Sequence, residues 1–84
     1  MSDRWTGLAM IYAVSVATSA ARMPSELERE IYLNERRFQI IAQCREDALA
    51  EDEAAGVADV AIAKARGLLA GFLARRSRSA GDRA

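Results

Sequence analysis

The sequence predicts an all-α protein, either a small three-helix bundle or a helical hairpin with an extra N-terminal helix. Three observations lead there. Eighteen of the 84 residues are Ala and only one is Pro, a composition that favours helix. The β-branched residues are scattered singly and do not alternate with polar ones, so no strand pattern emerges. The stretch "PSELE" places Ser25 three residues before Glu28, the sequence signature of a capped helix start.

Helix 1 is expected from Trp5 to Ala21, a run of seventeen residues without a formal charge. Ser2 or Asp3 can cap its start, and Pro24 stops it because the residue before a proline avoids the helical region. Helix 2 is expected from Ser25 to Glu53. Leu27, Ile31, Phe38, Ile41, Ala42 and Leu49 fall within one arc of about 100°, and Leu33, Ile40, Cys44 and Ala48 form a narrower seam beside it. This helix therefore offers apolar surface in two directions. Helix 3 is expected from Val57 to Arg76. Gly56 can mark the break, or Glu51 to Glu53 can already be the acidic first turn of helix 3. One unbroken helix from Ser25 to Arg76 is the third possibility, of a length rare in globular domains. Residues 1–76 make a single helical domain, and 77–84 a frayed, flexible polar tail.

Small residues recur at helical spacing. Ala9, Ala13, Ala17 and Ala21 lie on helix 1, and Ala63, Gly67, Gly71 and nearby Ala74 on helix 3. Two glycines inside a helix cost about 1–2 kcal/mol of propensity. Close backbone approach between helices 1 and 3 would offset that cost; the alternative is that these residues reflect composition alone.

A chain this short hides only about 60% of its unfolded surface, so close packing or association must support the fold. Cys44 is the only cysteine and there is no histidine, which rules out an internal disulfide and disfavours a zinc site. Without histidine, a Ser-His or Cys-His pair cannot form and the usual neutral-pH base is missing. No enzyme activity, metal or cofactor is expected. Net charge is zero, and the basic run Arg75 to Ser79 is too short to make nucleic acid the main partner. Residues 44–63 carry a net −5 and residues 64–84 a net +5. That sorting suits a helix with an acidic start and a basic end, or steers separate partners.

The uncharged stretch poses the functional question. Seventeen helical residues rise about 25 Å, short of the ~30 Å membrane core. An export signal would want more positive charge before it than Arg4, which Asp3 offsets. A soluble helix that is apolar nearly all round must be covered on most sides, and two further helices do not suffice. The expectation is a cytoplasmic protein-interaction module, a regulator of antiactivator or inhibitor type that occludes its target through an apolar helix face. The expected partner is a protein, with a transcriptional regulator as one candidate, and the chain is expected to form a homo-oligomer. Partner anchors are Ile31, Phe38 and Ile41 on helix 2 with Leu69, Phe72 and Leu73 on helix 3. Trp5, Ile11 and Tyr12 would close a homodimer. The alternatives are a membrane-associated accessory subunit anchored by residues 5–21, or a phage- or plasmid-borne assembly adaptor.

Overall fold

In the computed structural model, residues 3–82 are described, with side chains from Arg4 to Ser77. A single 3-10 turn, Asp3–Trp5, leads into α1 (Thr6–Ala20), followed by α2 (Glu26–Glu46) and α3 (Glu51–Asp82). No strand occurs among the described residues. The protein is a small all-α bundle in which α1 and α2 each pack chiefly on α3 and less on one another.

The helix boundaries follow from local chemistry, with three corrections to the sequence reading. At the start of α1 the cap position is Trp5, which makes no side-chain capping bond. Asp3 belongs to the preceding turn, and Ser2 lies outside the described residues. The α1 end is closed by backbone N–H groups of Arg22 and Met23, which donate to the carbonyls of Ser19 (3.2 Å) and Ala20 (3.0 Å). As the spacing predicts, Ser25 caps α2, its Oγ accepting from the Glu28 N–H at 3.1 Å.

The second correction concerns the α2–α3 break, which falls at Ala48 and not at Gly56. Ala48 has φ +70°. Its N–H donates to the Arg45 carbonyl and the Leu49 N–H to the Cys44 carbonyl. This pair of bonds is a Schellman closure, and buried Leu49 packs with the buried core that includes Cys44. Glycine is the usual residue at such a left-handed position. An alanine there gives no sequence signal, whereas Gly56 sits inside α3. The acidic stretch Glu51, Asp52, Glu53 is indeed the first turn of α3. There the Glu53 carboxylate accepts from the Ala50 N–H at 3.3 Å, the returning half of a capping box. At its other end α3 runs on past Arg76 to Asp82. The expected polar tail otherwise concerns residues 78–84, whose side chains lie outside the described residues.

Three long-range contacts orient the helices. The Trp5 indole N–H donates to Glu53 Oε2 at 2.7 Å, setting the start of α1 beside the start of α3, so the two run parallel. Arg37 pairs with Asp59 at 2.8 Å and Arg66 with Glu30 at 2.5 Å. Together these make α2 and α3 antiparallel.

The third correction concerns the small residues. The α1 stripe Ala9, Ala13, Ala17 and Ala20 is fully buried, as are Ala54, Ala58, Ala61 and Ala65 of α3. Helix approach therefore uses these alanines of α3 in place of Ala63, Gly67 and Gly71. With α1 starting level with Glu53, its alanines reach the first half of α3. Gly67 and Gly71 are exposed, and a Cβ at Gly67 would meet nothing within 4 Å. Between α2 and its neighbours the core is filled by Leu33, Ile40 and Cys44. Within α2 the narrower of the two apolar seams is thus the buried one, while Ala48, beyond the helix end, is exposed.

Candidate functional site

What the core leaves outside is concentrated on two helix faces. On α2 the first part of the wider apolar arc points to solvent: Leu27 is 70% exposed, Ile31 51% and Phe38 61%, while Ile41 is half-buried and Leu49, past the end of α2, is buried. Ile31 walls two depressions. One, of about 300 Å³, is lined by Met23, Glu28, Ile31, Tyr32 and Glu35. The other follows the α2–α3 groove past Asn34 and Arg37 to Ile62 and Arg66. Apolar surface with an acidic edge is the chemical character of the first. Glu28 and Glu35 are both exposed, and neither has an ion-pair partner among the described residues. On the other flank of α2 the charges are already matched, since Glu30 and Arg37 are held by Arg66 and Asp59.

On α1 the outward face holds Met10, Ile11 and Val14, with Ile11 69% exposed. It also carries exposed Gly7, Ser15 and Thr18, and α1 contains no charged residue at all.

The sequence-predicted anchors divide accordingly. Ile31 and Phe38 are exposed, whereas Ile41 is half-buried against the core. Leu69 is buried, and Phe72 and Leu73 are half-buried against the core, so the large residues of helix 3 serve the inside of this chain. Arg75 lies over the Phe72 ring at 5.3 Å. Among the residues assigned to self-association, only Ile11 is exposed. Trp5 is held by Glu53, and Tyr12 is half-buried, facing α2. Burial raises the Tyr12 hydroxyl pKa above its ordinary value, with Cys44 and Asp47 adding to the rise and Arg36 opposing it. Met10, Val14 and Leu27 are also exposed, beyond the anchors that the sequence predicts. Their signal was available, because each lies opposite a buried stripe of its own helix at 3.6-residue periodicity.

Reactive chemistry is thin. Cys44 is buried, and burial, with Asp47 nearby, pushes its thiol pKa up, away from the thiolate that a nucleophile needs. Among the described residues no group of His, Cys, Asp or Glu side chains could hold a metal ion. Nor is any helix among them long and apolar enough to cross a membrane.

Fold and surface together define a class: a small all-α bundle with two unpartnered apolar helix faces. Comparison with protein families, curated proteins and solved structures finds no match to this chain.

Proposed function

We propose that the protein is a small helical interaction module, a regulator of antiactivator or inhibitor type, which binds another protein and occludes it with the outward face of α2. The observation that carries this reading is the exposure of Leu27, Ile31 and Phe38 on a helix whose other apolar seam already fills the core. Large apolar residues grouped in water mark association surfaces, and aromatic or aliphatic anchors dominate the energy of such contacts. Glu28 and Glu35 favour a partner helix that is apolar on one side and basic at its flanks. They also disfavour self-pairing of α2, which would bring acids of the two copies together.

Affinity capture from the native host tests the proposal. The wild-type chain should retain one specific protein, and Phe38→Ala or Ile31→Asp should lose it. For a central anchor, truncation corresponds to a loss of about 2 kcal/mol, or roughly thirtyfold in affinity. Both positions are exposed, so unfolding midpoints should move little. Equal retention by wild type and both variants, or no retained protein, overturns the reading.

A further inference from the structure

We propose that the outward face of α2 receives α3 of a second copy of this chain, so that successive copies join head to tail. The inference rests on the reading of α2 as a docking surface and adds what occupies that surface when no target is present.

The outward faces of α2 and α3 are opposites in size and charge. On α3, Gly67 and Gly71 are exposed. A Cβ at Gly67 would meet nothing within 4 Å, and one at Gly71 only the Arg75 side chain at 4.0 Å. Glycine weakens a helix interior relative to alanine, and no packing within this chain offsets that loss. On the same face Lys64 and Arg75 are exposed, and Lys64 has no ion-pair partner among the described residues. On α2, the large Phe38 stands between exposed Glu35 and Glu46, which also have no ion-pair partner among the described residues.

The contents of the two faces identify the occupant. Glu35, Phe38, Ala42 and Glu46 recur at spacings of three, four and four, as do Lys64, Gly67, Gly71 and Arg75, and all eight are exposed. Set parallel, α2 of one copy and α3 of the next pair Glu35 with Lys64, Phe38 with Gly67, Ala42 with Gly71 and Glu46 with Arg75. Each acid then meets a base, and each larger side chain lies over a glycine that lets the helices approach. The reversed direction keeps the charges matched but sets Phe38 over Phe72 and Ala42 over Leu68, which loses the match in size. Either face against itself fails, because acid then meets acid on α2 and base meets base on α3. Eleven residues rise about 17 Å, a length that a shallow crossing of about 20° holds together.

Within one copy α2 and α3 are antiparallel. A two-fold pair that returned both contacts would therefore set α2 antiparallel to the other copy's α3. The parallel register excludes that closure and leaves an open chain of copies. A contact of this length belongs to the small, transient class of interface, so each link has a dissociation constant on the order of 100 µM.

Sedimentation of the full chain from about 10 µM to 1 mM brackets this constant. The mean mass of wild type should climb past that of two chains. Phe38→Asp and Gly67→Gln should each remain monomeric with the wild-type helix content, since both positions are exposed. Gly67→Gln should also melt about 5 °C higher, because glutamine suits a helix better than glycine. Mixed in equal amounts, these two variants should form a dimer and stop there, since Phe38→Asp keeps the α3 face and Gly67→Gln keeps the α2 face. Glu35→Lys should abolish assembly, and adding Lys64→Glu to it should restore assembly. Capture of a host protein should be lost with Phe38→Ala and kept with Gly67→Gln, so self-assembly and target binding fail separately. A wild type that stays monomeric or stops at two chains, a Gly67→Gln variant that assembles like wild type, or a mixture that stays monomeric overturns the proposal.

Discussion

The two seams on α3 are built from different materials. Where α1 packs on α3 the buried side chains are mostly small: Ala9, Ala13, Ala17 and Ala20 of α1 share the core with Ala54, Ala58, Ala61 and Ala65 of α3. The only described polar tie between those two helices is at their starts, where Trp5 meets Glu53. Against α2, the filling is larger, with Leu33, Ile40 and Cys44 buried. Two ion pairs, Arg37 with Asp59 and Arg66 with Glu30, run along the edge. A seam of small side chains holds its helices close and has little to lose by truncation, but no room for growth. A seam of large side chains is vulnerable to truncation, and its edge charges contribute direction more than strength.

That contrast can be broken from either side. The largest effect is expected for Leu33→Ala, which removes the largest fully buried side chain and should cost about 3 kcal/mol in denaturant unfolding. A loss below about 1 kcal/mol would mean that the α2 seam collapses onto the gap and is not the rigid one. Ala13→Leu probes the other seam by overfilling it and should cost about 2 kcal/mol. If it is neutral, the alanine wall is not close-packed. The smallest effect concerns the edge. The Arg66 guanidinium hydrogen-bonded to Glu30 holds the Glu30 carboxyl below its ordinary pKa. A carboxylate depressed in the folded state stabilises the fold above its unfolded pKa, and that contribution disappears as pH falls through the lower, folded value. Wild type should therefore lose slightly more stability than Glu30→Gln on acidification from about pH 5 to pH 2. Both partners are half-exposed, so added salt should shrink the difference. Equal acid sensitivity of the two chains would remove Glu30 from the account.

Much of the architecture was legible before any coordinates. The capped start at Ser25, the stop at Pro24 and the uncharged first helix follow from residue types whose local physics is strong. The α2–α3 break was not legible, since it depends on a left-handed Ala48, where local sequence argues for continuation and tertiary packing decides otherwise. The two apolar seams of α2 were both visible. Which one faces inward was not, because width does not determine burial. That choice rests on Glu30 and Arg37, which meet charges 36 and 22 residues away. For the same reason the buried alanines of α3 lie nearer its start than the small-residue spacing suggests: the register is set by a contact between residues 5 and 53, far apart in sequence.

Glu53 holds two things with one carboxylate: one oxygen accepts from the Ala50 backbone at the start of α3, the other from the Trp5 indole. Trp5 is the only tryptophan in the chain. Its fluorescence is thus an optical gauge of one junction, where α1 begins beside α3, and not of the bundle as a whole. A melt followed by that signal and one followed by helix content coincide only if the junction and the bundle unfold as one cooperative unit.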